Sequence, residues 1–194
     1  MLTAKERLLQ TLVEYIKKGE DLQSIALSKI AQDADIGKST VYEYFESKEQ
    51  MIIETYRHLL KHYEKILLAD LSVMDFKGAL LEELKRTLVV MKDARSIMEA
   101  IMNAPHHQGV RIDLELKDEI NAIQKAMEER FSSIMYLGVV EGIYPMREPR
   151  KETPFLIRAL ISGLMFQFIN GETPFSEEEL LELLYQEIVR IVKY

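Results

Sequence analysis

The stretch "SKIAQDADIGKSTVYEYFESKEQM", residues 28–51, decides how this 194-residue chain is to be read. Wound as a helix at about 100° per residue, residues 38–45 put Val41 and Phe45 on one side, four positions apart. Ser39, Thr40 and Glu43 then project from the opposite side, with Lys38, Tyr42 and Tyr44 on the flanks. One narrow apolar stripe anchors such a helix and everything else is displayed. Upstream, Ile25, Leu27, Ile30, Ala31 and Ala34 recur at helical spacing, Asp33 to Asp35 leave room only for an abrupt corner, and Ile36 turns back to the core. Two short helices around a tight corner make a helix-turn-helix, whose second helix can enter a major groove and read base edges. Ser and Thr suit bases or phosphates, and Tyr and Lys suit phosphates on the groove walls. On periodicity alone, a small helical hairpin with a polar surface competes with this reading.

The same residues resemble the DNA-binding signature of the TetR family of bacterial transcriptional regulators. Ile30-Ala31, Ala34, Ile36, Thr40-Val41-Tyr42, Tyr44-Phe45 and Ser47-Lys48-Glu49 fall on the family's pattern, within a match over about residues 3–55. The resemblance implies an N-terminal three-helix DNA-binding domain, a larger C-terminal helical domain for ligand binding and dimerisation, and a homodimer on a palindromic operator. The candidate DNA contacts are Ser28, Lys38, Ser39, Thr40, Tyr42, Glu43, Tyr44 and Lys48. Two positions depart from the pattern. Asp35 stands where the corner usually has Gly, and Asp tolerates left-handed backbone better than most residues. Ala26 stands where Ser or Thr often opens the first helix of the motif, which forgoes a cap worth ~1 kcal/mol.

Composition agrees with an all-α chain. Nearly half the residues are apolar, while Gly and Pro number only 8 and 5. No clean period-two alternation occurs, and the one Asn-Gly pair, at 170–171, is not flanked by alternating runs. The absence of cysteine excludes disulfides, thiolate metal sites and Cys nucleophiles, and it suits a reducing cytoplasm. The N-terminal stretch carries charges within its apolar run, unlike a secretory signal. The most apolar segment, 154–169, contains Arg158 and is too short to span a membrane, so no membrane partner is expected. The formal net charge is −7, and residues 1–46 hold six basic side chains against eight acidic ones. A DNA reading therefore rests on local arrangement, with modest non-specific affinity.

Capping-box patterns at Thr3/Glu6, Ser47/Gln50 and Ser176/Glu179, Thr153 before Pro154, and Gly19 after two lysines punctuate the chain. They predict helices near 3–18, 26–33, 37–44, 47–69, 75–92, 94–104, 112–141, 154–170 and 176–193. The change from short to long helices sets a domain boundary: 1–46 for DNA binding and 47–194 for ligand binding and dimerisation, with 47–69 connecting and 154–194 forming the dimer helices. In the C-terminal domain Met91, Met98, Met102, Met127, Phe131, Met135, Met165 and Phe166 form a candidate wall for a hydrophobic small molecule, since Met adapts to irregular ligands. Ordinary core is the competing reading for each of them singly. Glu99, Asp113 and Glu115 could complement a cationic ligand and Arg95 or Arg111 an anionic one, but solvated helix faces are the favoured reading for all five. The last two helices carry more apolar residues than one face requires. Phe155, Ile161, Leu164, Phe168, Leu180, Leu184, Ile188 and Ile191 are the expected interface of an intermolecular four-helix bundle, with Ser162-Gly163 allowing close approach.

Glu54, His58 and His62 share one helical stripe and form a weak candidate for zinc. His106-His107 sits in a Pro- and Gly-bounded loop and fits a hinge or a pocket mouth better than a metal site. There is no phosphate-binding Gly loop, Gly-x-Ser-x-Gly elbow or HExxH motif, and neither an enzyme nor a bound cofactor is expected. The leading expectation is a cytoplasmic repressor released from DNA by a small hydrophobic effector. A relative acting through protein partners without an inducer, and a metal-sensing regulator, are the alternatives.

Overall fold

The computed structural model describes residues 2–103, 115–146 and 150–193, the stretch 96–103 as backbone only. All regular structure among them is helical. The helices are α1 (Ala4–Lys17), α2 (Leu27–Asp33), α3 (Lys38–Tyr44), α4 (Lys48–Leu67), α5 (Phe76–Asn103), α6 (Lys117–Val140), α7 (Thr153–Ile169) and α8 (Glu177–Lys193). No helix among the described residues is long and apolar enough to cross a membrane. The chain divides into two compact units, residues 1–65 with 93–123, and residues 66–92 with 124–194.

In the first unit the local signals act as expected. Thr3 Oγ1 accepts from the Glu6 amide at 3.2 Å, and the Glu6 carboxylate accepts from the Thr3 amide at 2.7 Å, completing the capping box of α1. Gly19 ends that helix at φ 74°. α1 packs on α2 and α3 over a core of Leu8, Leu12, Ile30, Val41 and Phe45. Tyr15 donates to Asp33, which also pairs with Lys29 at 2.8 Å, so the last residue of α2 is tied to α1 and to its own helix. The corner falls at Asp35, φ 53°, the only non-glycine at positive φ among the described residues. Arg7 Nη2 donates to the Asp35 carbonyl at 3.2 Å, and the Ile36 amide to the Ala31 carbonyl at 3.0 Å, which closes the turn.

Ala26 is the N-cap of α2 in extended conformation, with no side-chain hydrogen bond to offer. Its backbone is already that of a cap, so Ala26→Ser is expected to stabilise the protein by about 1 kcal/mol. Denaturant unfolding followed by circular dichroism checks this, and an unchanged midpoint would show that a serine there cannot reach the amides of the first turn.

Three sequence expectations are corrected. The break at residue 93 does not occur, and Phe76–Asn103 is one helix. Asp93 is placed mid-helix by its partners: it accepts from the Tyr63 hydroxyl at 3.0 Å and pairs with Lys17 at 3.1 Å. The Ser47 box is shifted, because the Gln50 side chain accepts from the Glu46 amide and not from that of Ser47. Thr153 is the first residue of α7 and is buried, so the cap position belongs to Glu152, which makes no capping bond.

A fourth correction concerns α8. Leu180, Leu184 and Ile188 are fully buried in the core of the second unit, which they share with Phe76, Leu80, Leu84, Leu88, Ile134 and Met165. Ile161, Leu164, Phe168 and Ile191 are half-buried against that same core. Leu180, Leu184 and Ile188 are thus taken up inside the subunit, unlike the interface role expected for them. On α7 a stripe does remain outside. Phe155 is 71%, Leu156 52% and Phe166 62% exposed, with Ser162 between them.

Candidate nucleic-acid interface and cavities

α3 is anchored by Val41, with Phe45 as its C-cap, and both are buried. Lys38, Ser39, Tyr42, Glu43 and Tyr44 are exposed and Thr40 is half-buried. Ser28 is exposed on α2. The helix thus displays most of its side chains while resting on a single turn, the arrangement required of a reading helix. The Lys5 ammonium sits 5.4 Å from the Phe45 ring centre, bringing a cation from α1 to the end of α3.

Lys48 differs from the expectation of a free phosphate contact. Its ammonium donates to the carbonyls of Gln23 at 2.6 Å and Ile25 at 2.5 Å, and burial pulls its pKa down. It pins the entry into α2 with two of its three N–H groups, which leaves one for a phosphate. Lys48→Ala is expected to flatten the salt dependence of DNA binding by about one ion and also to lower stability by about 1.5–3 kcal/mol, since two carbonyls lose a charged donor. Salt titration of binding and chemical unfolding separate the two effects, and an unchanged salt slope would assign Lys48 to the fold alone. Glu43 has no packing role, so Glu43→Ala should alter base preference with little change in melting temperature. A large fall in melting temperature with preference intact would make Glu43 a packing residue.

The zinc candidate does not assemble. The Glu54 carboxylate is taken by Arg57, which also binds Glu119 at 2.8 Å, and no group of three metal-ligating side chains lies together among the described residues. His58 is half-buried, and burial and the neighbouring cations lower its pKa. His106 and His107 lie outside the described residues.

The second unit holds two apolar cavities along α6 and α7. The first, of about 480 Å³, is lined by Glu83, Leu84, Thr87 and Met91 of α5, Met127, Glu128, Phe131 and Ser132 of α6, and Pro154, Ile157, Arg158, Ile161 and Ser162 of α7. The second, of about 400 Å³, also touches Phe131, Ser132, Pro154 and Ile157, and adds Met135, Tyr136, Val139, Tyr144, Met146, Arg150, Ile191 and others. Of the candidate ligand wall, Met91, Met127, Phe131 and Met135 line these spaces. Met165 is wholly buried in the core and Phe166 faces outward, so these two are corrected. Met98, Met102, Glu99, Arg111 and Asp113 lie outside the described side chains. Arg95 and Glu115 are exposed.

Sequence reasoning missed Glu83, which falls at i, i+4, i+8 with Thr87 and Met91 on one stripe of α5. It is 5% exposed, and burial raises its pKa while Arg130 and Arg86 pull it down. Arg130 Nε lies 2.9 Å from Glu83 Oε2, yet neither atom has an aligned hydrogen bond, so this is a charge contact with imperfect geometry. Tyr144, also missed, donates its hydroxyl to the Met135 carbonyl at 2.5 Å and fills the space beside Gly138, where a Cβ would come within 2.6 Å of its ring.

The sequence model described as bacterial regulatory proteins, tetR family, matches residues 21–55. The HTH-type transcriptional regulator YhgD of Bacillus subtilis (strain 168) is 21% identical over 168 residues, which are 87% of this chain and 86% of that protein. Among solved structures, the TetR family regulator PfmR from Thermus thermophilus superposes with a TM-score of 0.59 at 17% identity, covering 100% of this chain and 97% of the other. The regulator FadR from Bacillus subtilis, in complex with stearoyl-CoA, gives 0.57 at 17% identity and 96% coverage of each chain.

Proposed function

We propose that this chain, whose residues 21–55 match the tetR family model, is a TetR-type ligand-responsive repressor, a homodimer on a palindromic operator released by a small hydrophobic effector. In this reading residues 1–46 bind DNA and residues 47–194 take the effector and hold the dimer. The observation that carries the reading is α3: one buried residue, Val41, under five exposed side chains that include Ser39, Tyr42 and Glu43. The effector reading is supported by two apolar cavities lined by four of the expected Met and Phe side chains, and by the acyl-CoA present in the FadR complex. The face for a second copy is the outer stripe of α7, Phe155, Leu156 and Phe166. Two reading helices would then address major grooves one turn, ~34 Å, apart.

Release requires a coupling element, and α5 has the residues for one. Thr87 and Met91 line a cavity, and Asp93, two residues beyond, holds Tyr63 of α4 and Lys17 of α1. An effector that shifts α5 would alter these two contacts and so the population able to bind DNA. The test is selection of bound sequences from a random duplex pool, followed by binding titrations with and without hydrophobic compounds. Recovery of a palindrome supports the proposal. Binding of every duplex with equal affinity would overturn it.

A further inference from the structure

We propose that the two cavities are halves of one site for a long unbranched acyl chain with an anionic head, the head at Arg150 and the tail running past Phe131 to Met91 and Met127. This rests on the effector reading and specifies its ligand. Met127, Phe131, Met135 and Val139 all line one cavity or the other, and they succeed one another every fourth residue along α6. That stripe runs roughly 18 Å along the helix axis, the reach of an extended fatty tail and longer than a compact ring compound needs. Phe131, Ser132, Pro154 and Ile157 belong to both cavities, so only a shared wall divides them. Phe131 is half-buried and lines both spaces, so in this proposal a change of its rotamer would join them. The Met side chains on either hand adapt to a flexible chain.

Charge sets the direction. Arg150 is exposed and is the only charged side chain among the described lining residues of the second cavity. The first cavity carries two carboxylates. Glu128 is paired with Arg158 at 2.7 Å, and Glu83 is buried in the wall. An anionic head lodged beside Glu83 would add a like charge in a place with little water, whereas at Arg150 it meets a cation at the surface.

The test uses the full chain and measures affinities of octanoate, dodecanoate, hexadecanoate, hexadecanol and the coenzyme A thioester of hexadecanoate by calorimetry. Affinity is expected to rise by about fourfold per methylene from octanoate towards hexadecanoate. Met91→Trp, which fills the far half, should abolish the gain of hexadecanoate over octanoate. Arg150→Ala, a surface change, should weaken hexadecanoate by about tenfold and leave hexadecanol unchanged. Binding of either the free acid or the thioester supports the inference, and their ratio identifies the source of the anion. Affinity that levels off at octanoate, or that is indifferent to Arg150, overturns the bipartite site and leaves a smaller effector in place. Failure of every alkyl compound and of an environment-sensitive apolar dye to bind would overturn the effector reading itself.

Discussion

Leu184→Glu is expected to unfold the C-terminal helices within each subunit, rather than to separate subunits that stay folded. Leu184 is 0% exposed and sits in mid-α8, where fraying cannot relieve it. A carboxylate there must either stay charged without a partner or take up a proton, and both cost several kcal/mol. That is a large share of the 5–15 kcal/mol typical of a whole domain. The loss of helical signal at 25 °C, or a fall in melting temperature of tens of degrees, is the expected result. Phe166→Glu is the control, because Phe166 is 62% exposed on the outer stripe of α7. It should keep its helical content and melt as a folded chain, yet sediment as a monomer and lose operator affinity through lost two-site avidity. A folded, monomeric Leu184→Glu protein would return α8 to the dimer interface. A dimeric Phe166→Glu protein would remove the α7 stripe from it.

The second large effect is expected at Arg130. Its guanidinium is the nearest cation to the buried carboxylate of Glu83, at 2.9 Å, and it also donates to the Ala69 carbonyl at 2.5 Å. Arg130→Ala leaves Glu83 buried with Arg86 as its remaining cationic influence, and should cost about 3–5 kcal/mol at neutral pH. The cost should depend on pH in a defined direction. Burial already holds the Glu83 carboxyl above its ordinary range, and loss of Arg130 raises it further. A folded-state pKa above the unfolded one means that the folded protein binds the proton more tightly. Stability from this group is then greatest below the unfolded value and declines as pH rises through the folded value. The deficit of Arg130→Ala relative to the parent should therefore shrink on acidification towards the ordinary carboxylate range. Replacing both partners, as Glu83→Leu with Arg130→Met, should recover most of the loss, since no charge is then left buried. Urea unfolding at a series of pH values reads all three proteins. A deficit that does not change with pH would mean that Arg130 matters for its packing and its bond to Ala69, and not for Glu83.

The features of the chain that were legible in sequence are those governed by neighbours a few residues away. Thr3 and Glu6 satisfy each other across one turn, and Asp35 is recognised as a corner because few residues accept its backbone angles. Val41 and Phe45 are recognised as anchors because a helix sets them side by side. Asp93 shows the limit. In sequence it looks like a helix break, but Tyr63 and Lys17, thirty and seventy-six positions away, hold it in mid-helix. Ala26 and Gly37 open α2 and α3 without a side-chain cap, so there packing replaces the local signal.

By itself, the sequence determined that this chain is helical, that its N-terminal end carries a helix-turn-helix, and which side chains of α3 stand away from the core. The helical periods and the Asp35 corner follow from periodicity and backbone preference, which act within one or two turns, whereas naming the pair a helix-turn-helix also took the resemblance of residues 28–51 to the TetR signature. Only the tertiary structure decided how the C-terminal apolar residues are divided among core, cavity and outer face. Leu184, Phe131 and Phe166 are all apolar helical residues, and no spacing rule tells them apart. Which of them is buried depends on which distant helix covers it: Leu184 is enclosed with Leu80 and Leu84 of α5, Phe131 is left beside a gap, and Phe166 has no cover in its own subunit. Hydrophobic burial is non-directional and answers to area alone, so it records the arrangement of the helices but does not announce it in advance.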